Sequence, residues 1–322
     1  MASNLAYRAP KNVRRIAIVG AGLIGASWAA YFLSRGIAVR ATDPAPGAEA
    51  RLRGFVDTAW SALERLGLPG EADRSRLTFC ETIEEAVRDV DFVQESARED
   101  EALKIELFRR IGDATPRETI VASSSSALLM GRIQSRCRYP ERCVLGHPFN
   151  PPHLVPLVEV VGGGQTDPAA VDATIDFYNR IGKRAVRLNR EIGGHIANRL
   201  AAALWREAIH LVAAGVASIE DVDASIAYGP GLRWAIMGPY LTYHMGGGAG
   251  GLESFFVQFG RMQEERWADL GQPKMTPELQ RTLIEGVRKA TGGKSMDALA
   301  AERDRCLIAV LAALKACRTQ QD

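Results

Sequence analysis

The stretch RIAIVGAGLIGASWAAYFLSRGIAVRATD, residues 15–43, determines the architecture of the N-terminal half. It opens with a short run rich in β-branched residues, Arg15 to Val19, which is typical of a buried strand. A glycine-rich turn of the form G-x-G-x-x-G follows from Gly20 to Gly25, and then a helix-like segment. A second strand, Ile37 to Thr42, ends at Asp43. Strand, turn, helix, strand and acid in this order predict a dinucleotide-binding βαβ unit.

Each glycine of the turn has a separate physical task in such a unit. Gly20 permits the tight turn, Gly22 lets the backbone approach a pyrophosphate, and Gly25 lets helix and strand pack closely. The start of the helix offers free N–H groups and a positive dipole end to the phosphates. The residues predicted to contact the cofactor here are Gly20, Gly22, Leu23, Ile24 and Gly25.

Asp43 bears on the choice of cofactor. It lies 18 residues after Gly25, where a carboxylate can bind the adenosine ribose hydroxyls. A carboxylate there repels a 2′-phosphate, so NAD is favoured over NADP. Arg40 and Arg51 lie near enough in sequence to keep NADP open.

The pattern of elements predicts two domains. Strand-like and helix-like segments alternate through the first half, which indicates a parallel sheet with ligands at the carboxyl ends of its strands. From about Gly194 onward the spacing is helical. We therefore predict an α/β Rossmann-type NAD-binding domain at residues 1–192 and an all-α substrate domain at residues 193–322.

Composition excludes several classes of function. The chain is 47% hydrophobic and 24% charged with a net charge of +2, and it has no long basic run. Nucleic acid and membrane partners are therefore not expected. The five cysteines form no C-x-x-C pair, which favours a reducing cytoplasm and no metal site.

The segment LGHPFNPPHLVPLVEVVGG, residues 145–163, suggests chemistry. His147 follows a strand-like run, and Glu159 comes twelve residues later in a second one. A neutral imidazole can take a hydroxyl proton while hydride leaves the same carbon, and a carboxylate on its other nitrogen orients it. The alternative is a tight turn that feeds a buried strand.

These motifs together resemble the 3-hydroxyacyl-CoA dehydrogenase family. The resemblance rests on GAGLIG, Asp43, a serine cluster, HPFNP, LVEVV and the later GGHIANRL. It implies that His147 is the general base, that Glu159 pairs with it, and that the reacting oxygen is held by Ser126 and Asn198. It also implies a homodimer formed through the helical domain. The remaining cofactor contacts that it implies are Glu99, Lys104, Ser124 and Asn150.

Two departures from the family pattern matter. The family usually reads S-N-T-S where this chain has four serines, Ser123 to Ser126, so Ser125 is an alternative to Ser126. The family's usual aromatic residue is replaced by His195, which we hypothesise faces the substrate.

The expected substrate is a small 3-hydroxy acid. No lysine lies between Asn12 and Leu103, although the acyl-CoA enzymes place phosphate-binding lysines there. Residues 229–251, GPGLRWAIMGPYLTYHMGGGAGG, resemble a branch of the family that contains lambda-crystallin and oxidises L-gulonate or L-carnitine. Within that branch, the Gly-Leu-Arg-Trp run, Thr242-Tyr243 and the glycine-rich loop are most similar to the enzymes that oxidise carnitine. The chemistry of carnitine agrees, because Arg199 or Arg233 could hold its carboxylate and the faces of Trp234 and Tyr243 its quaternary ammonium. The alternative is that these aromatic residues belong to the core or to a dimer interface. L-Gulonate, a 3-hydroxyacyl-CoA and a crystallin-like structural role remain alternatives.

Overall fold

The computed structural model describes residues 7–319 of the chain. The chain divides into two compact units. The first comprises Met1–Ile196 with Arg303–Ala313, and the second Ala197–Glu302 with Leu314–Asp322. The α/β class of the N-terminal half and the helical class of the C-terminal half are both confirmed. The boundary at residue 192 stays a prediction.

The first unit is built around one eight-stranded sheet in the order β3-β2-β1-β4-β5-β6-β7-β8. Neighbouring strands are parallel except β6 and β7, which are antiparallel. The chain leaves β1 toward β2 on one side and returns through β4 on the other, so a crevice opens at the carboxyl end of β1. The strands are β1 (Arg15–Val19), β2 (Ala38–Thr42), β3 (Leu77–Phe79), β4 (Phe92–Glu95), β5 (Ile120–Ser123), β6 (Cys143–Pro148), β7 (Leu157–Gly162) and β8 (Arg184–Arg187).

Helices connect these strands, and the first of them is almost wholly buried. Trp28 of that helix stacks on Phe32, with ring centroids 5.0 Å apart, and on Tyr178, 5.6 Å away. The stack on Tyr178 joins this helix to the helix Pro168–Arg180, and both helices share one apolar cluster with strand residues such as Ile16 and Ile18. The helices of this half are α1 (Leu23–Ser34), α2 (Ala48–Leu66), α3 (Ile83–Val87), α4 (Glu101–Ala114), α5 (Met130–Ile133) and α6 (Pro168–Arg180).

The second unit is helical throughout its described part. In the part of the chain that the structure describes, no helix is long and apolar enough to cross a membrane. The last helix, α13, runs through both units, because Arg303–Ala313 groups with the first. The helices are α7 (Ala197–Ala213), α8 (Ile219–Ala227), α9 (Pro230–Trp234), α10 (Pro239–Gly246), α11 (Gly251–Asp269), α12 (Pro277–Ala290) and α13 (Met296–Thr319).

The glycine turn between β1 and α1 is as tight as its sequence predicts. Gly20 has φ +93°, and a Cβ there would lie 2.6 Å from the Ala97 nitrogen. A Cβ on Gly25 would lie 1.9 Å from the Gly20 carbonyl oxygen. At Gly22 a Cβ would meet no atom within 4 Å, so the backbone is open to a ligand at that residue.

We predict opposite effects for two alanine substitutions in this turn. Gly25→Ala forces a methyl group against the Gly20 carbonyl, so the free energy of unfolding should fall by about 1–3 kcal/mol. Gly22→Ala has room and an ordinary φ of −67°, so the apo protein should melt as the wild type does. Its added methyl should reduce the thermal shift that NAD produces. Thermal melts with and without NAD measure both, and equal apo melting of the two variants would contradict the packing role.

Candidate active site

The register of β6 against β7 brings the predicted base and its carboxylate together. His147 lies directly opposite Glu159 in this antiparallel pair, and His147 Nδ1 lies 2.9 Å from Glu159 Oε2. Both side chains are buried, 6% and 1% exposed. An ionised carboxylate only accepts hydrogen bonds, so Nδ1–H donates to it, and in the neutral form of the ring Nε2 then carries the free lone pair. The imidazole is thus oriented to accept a proton at Nε2.

The serine loop after β5 is held by one carboxylate. Glu99 Oε1 accepts hydrogen bonds from the main-chain N–H groups of Ser126 (3.0 Å) and Ala127 (2.9 Å) and from the Ser125 hydroxyl. Burial by itself would raise the pKa of Glu99, but these hydrogen bonds and the nearby Lys104 ammonium lower it below its ordinary value. Glu99 therefore anchors the loop as an anion.

The two candidate serines differ in what their hydroxyls do. Ser125 is buried, and its hydroxyl donates to Glu99 and accepts from Leu128 N–H at 3.0 Å. Ser126 is exposed, and its hydroxyl has no hydrogen-bond partner among the described residues. The geometry therefore favours Ser126 over Ser125 as the serine that can bind a substrate oxygen.

Lys104 belongs to a buried ion pair beneath this loop. Its ammonium lies 2.6 Å from Glu95 Oε1 and 3.0 Å from the Ala97 carbonyl oxygen, and both charged side chains are essentially unexposed. Glu95 Oε2 also accepts from the Ser123 hydroxyl at 2.6 Å. Lys104 thus holds the carboxyl end of β4 through Glu95 and Ala97. Its direct contact with the cofactor stays a prediction.

Ser124 and Asn150 differ in their surroundings. The Ser124 hydroxyl accepts from the Gln94 amide at 2.8 Å and lies 2.9 Å from the Ser96 hydroxyl. Asn150 is exposed after β6 and precedes a cis-proline, Pro151. Their predicted place near the nicotinamide remains a prediction.

The adenosine end of the predicted cofactor site is a cleft of about 660 Å³ in the first unit. Asp43 lines it, with Oδ2 accepting from Ala21 N–H (2.8 Å) and Oδ1 from Ala45 N–H (2.9 Å). Arg40 donates to the Glu85 carbonyl oxygen and Arg51 to that of Pro46, so both arginines are already engaged. Leu23 is 58% exposed at the first residue of α1, where the free N–H groups can meet phosphate.

The predicted substrate residues lie in the second unit. Asn198 and Arg199 occupy the first turn of α7. Trp234 ends α9 and is 43% exposed. Tyr243 of α10 is 46% exposed, and its ring packs against Phe255 with centroids 5.0 Å apart. Their roles toward substrate stay predictions.

Two residues have contacts in this site that the sequence interpretation did not give them. Glu95 is the last residue of β4, and its place at the carboxyl end of a strand was the available signal for its central place in the network. His195 was expected only to face the substrate, but its ring lies 4.9 Å from the His147 ring. Nothing in the sequence alone reports that contact.

Comparison with known proteins shows to which family the chain belongs. Residues 15–192 match the NAD binding domain of 3-hydroxyacyl-CoA dehydrogenase, and residues 194–289 match its C-terminal domain. The chain belongs to the 3-hydroxyacyl-CoA dehydrogenase family. It is accordingly an NAD-dependent oxidoreductase that acts on CH–OH groups, and NAD is its cofactor.

Individual members of the 3-hydroxyacyl-CoA dehydrogenase family resemble the chain over nearly its whole length. The L-carnitine dehydrogenase of Streptomyces griseus subsp. griseus is 51% identical over 95% of this chain and 91% of that one. The L-carnitine dehydrogenase of Burkholderia mallei is 48% identical over 94% and 95%.

A solved structure shares most of the fold. The structure of 5-formyl-3-hydroxy-2-methylpyridine 4-carboxylic acid 5-dehydrogenase, an NAD⁺-dependent dismutase, superposes with a TM-score of 0.81 at 31% identity. It covers 94% of this chain and 99% of its own.

We predict that Glu159→Gln abolishes most turnover while cofactor binding persists. The amide nitrogen would donate toward His147 Nδ1, which moves the imidazole proton to Nε2 and blocks proton acceptance there. We expect kcat to fall by roughly 100- to 10,000-fold, with the Kd for NADH changed less than about twofold.

Glu49→Gln, which neutralises an exposed carboxylate ion-paired with Arg53, is the matched control and should leave kcat unchanged. Steady-state rates and NADH fluorescence titration measure the two quantities. A Glu159→Gln enzyme with near wild-type kcat would refute the role of the pair.

Proposed function

We propose that this chain catalyses the NAD-dependent oxidation of the 3-hydroxyl of L-carnitine to 3-dehydrocarnitine. The observation that carries the proposal is the similarity to L-carnitine dehydrogenases, at 44–51% identity over at least 94% of the chain. The buried His147–Glu159 pair supplies the base that such an oxidation needs.

The reaction removes a hydride and a proton from one alcohol. NAD, when bound, accepts the hydride. His147 accepts the hydroxyl proton at Nε2, and the Glu159 carboxylate stabilises the imidazolium that results. The exposed Ser126 hydroxyl and the Asn198 amide hydrogen-bond the reacting oxygen and hold it toward His147. These interactions lower the barrier most if they strengthen as the carbonyl forms.

Binding of the two charged ends of carnitine is assigned to the second unit. The Arg199 guanidinium pairs with the substrate carboxylate. A quaternary ammonium donates no ordinary hydrogen bond and is held by aromatic faces, which Trp234 and Tyr243 supply. Their exposed fractions of 43% and 46% leave surface for this contact.

A small acid is favoured over a CoA ester by the charges on and around α2. Arg53 pairs with Glu49 at 2.8 Å, and Arg74 pairs with Asp57 at 2.9 Å. The Arg76 guanidinium donates to the Gly36 carbonyl oxygen. These internal partners reduce the positive charge available to CoA phosphates.

Absorbance at 340 nm with NAD tests the substrate at mildly alkaline pH. L-Carnitine, D-carnitine, L-gulonate and 3-hydroxybutyryl-CoA are assayed separately. We expect kcat/KM for L-carnitine to exceed each of the others by at least roughly 100-fold. L-Gulonate and the CoA ester lack the quaternary ammonium, and D-carnitine with both charged ends bound would present its hydroxyl in the opposite configuration, away from His147. Turnover of the CoA ester alone would reject carnitine and retain the dehydrogenase.

We also propose a homodimer in the cytoplasm, formed through the helical unit. Of α7, which is described in full, only Ile209 is buried, and Leu200, Leu204 and Trp205 are 59%, 39% and 64% exposed. A second copy of the chain would cover such an apolar face. The cysteines are free thiols in the described structure, which suits a reducing compartment.

Light scattering after size exclusion should give about 70 kDa, twice the chain mass of 35.0 kDa. Trp205→Glu should shift the distribution toward monomer, because a buried carboxylate at an apolar interface costs several kcal/mol. A wild-type mass of one chain would contradict the dimer.

A further inference from the structure

His195 has an unusual backbone conformation and lies between the serine loop and the His147–Glu159 pair. Its φ is +51°, in the left-handed region that non-glycine residues seldom adopt, and it follows Gly194 at φ +76°. Its side chain is only 1% exposed. A buried residue in this conformation is retained when its surroundings determine it strongly.

The side chain of His195 fixes the serine loop. Its Nε2 lies 3.1 Å from the Ser125 carbonyl oxygen. The same peptide unit is held at its other edge, because the Ser126 N–H donates to Glu99 Oε1 at 3.0 Å. The peptide unit between Ser125 and Ser126 is therefore hydrogen-bonded at both its carbonyl oxygen and its N–H.

The backbone next to His195 fixes the base. The Ile196 N–H donates to Glu159 Oε1 at 2.8 Å, and the other oxygen of that carboxylate binds His147 Nδ1. The His195 ring also contacts the His147 ring, with centroids 4.9 Å apart and planes tilted by 46°. Residues 195 and 196 thus touch both the serine loop and the His147–Glu159 pair.

We propose that His195 is a positioning residue for the oxidation, which sets the Ser126 hydroxyl relative to His147 through its Nε2–H bond to the Ser125 carbonyl. It does not itself accept the substrate proton. This inference rests on the proposed roles of Ser126 and His147. It assigns to His195 a task that a hydrophobic ring of the same size could not perform.

The protonation state of His195 suits this task. A carbonyl oxygen only accepts, so Nε2 must carry hydrogen. Burial lowers the pKa of His195, and the neighbouring His147 lowers it further, while the hydrogen bond to Ser125 raises it in part. Its Nδ1 is buried without a partner among the described residues. The ring is therefore a neutral, single-tautomer donor that adds no charge beside the base.

Two substitutions separate the N–H donor from the ring. His195→Phe keeps an aromatic ring against His147 but loses the donor, while His195→Gln keeps an N–H that can reach the Ser125 carbonyl. With the substrate turned over by the wild type, we expect kcat to fall roughly 10- to 100-fold in His195→Phe, because a small displacement of a reacting group costs that much. His195→Gln should recover to within about fivefold of the wild type, and the KM for NAD should stay within about twofold in both. A His195→Phe enzyme that is faster than His195→Gln would show a packing role only and overturn the proposal.

A double-mutant cycle tests whether His195 acts through Ser126. In a Ser126→Ala background, His195→Phe should lower kcat by less than about threefold, since the hydroxyl that it positions is gone. The same 10- to 100-fold loss in both backgrounds would overturn the proposal. NADH titration of every variant identifies any that fail to fold.

A spectroscopic measurement remains decisive if the wild type oxidises none of the acids tested, in which case the proposed function fails by itself. Long-range ¹H–¹⁵N spectra of protein labelled at its five histidines report the tautomer of each ring. The signal that disappears in His195→Gln should be that of a neutral ring protonated at Nε2 at pH 7. A charged ring, or one protonated at Nδ1, would overturn the proposal.

Discussion

The hydrogen bond between His147 and Glu159 is the interaction on which the rest of the site depends, and strand register creates it. β6 and β7 are the one antiparallel pair in the described sheet, and this pairing sets two residues twelve apart in sequence directly across from each other. A shift of one residue would turn the carboxylate to the opposite face of the sheet. Burial strengthens this hydrogen bond, because neither group can exchange its partner for water.

A buried ion pair, Lys104–Glu95, supports the strand ends that precede the serine loop. Lys104 and Glu95 are desolvated, which is costly unless the remaining polar atoms are satisfied. Here they are satisfied, since Glu95 also accepts from Ser123 and from the Ala97 N–H, and Lys104 donates to the Ala97 carbonyl oxygen. The pair therefore holds the ends of β4 and β5 in one arrangement. Glu99 extends this arrangement to the serine loop.

His195 connects the serine loop to the His147–Glu159 pair. Its Nε2 contacts the Ser125 carbonyl oxygen, and the N–H of the adjacent Ile196 donates to the Glu159 carboxylate. Neither link is strong by itself, because a typical hydrogen bond contributes about 0.5–1.5 kcal/mol to stability. Their effect is geometric, since a peptide held at both edges has little freedom to rotate.

Much of this arrangement follows from local sequence pattern. The glycine turn, Asp43 and the strand–helix alternation predict the α/β half because each depends on contacts within about thirty residues, where periodicity and turn chemistry are informative. His147 and Glu159 could be paired from their spacing only with the help of a family resemblance. The serine register could not be decided, because four consecutive serines are chemically identical until the fold buries one and exposes the next.

The sequence by itself determined the class of fold and the tight glycine turn after β1, because these depend on residue type and short-range order. Only the tertiary structure decided which serine hydroxyl is free, what Lys104 and Glu95 bind, and that His195 lies against His147. The contacts of the serine loop join residues 26 to 70 apart, and only the packed sheet brings them within hydrogen-bonding distance. The physical reason is that a partner for a buried polar group is selected by proximity in the fold, which sequence pattern does not encode locally.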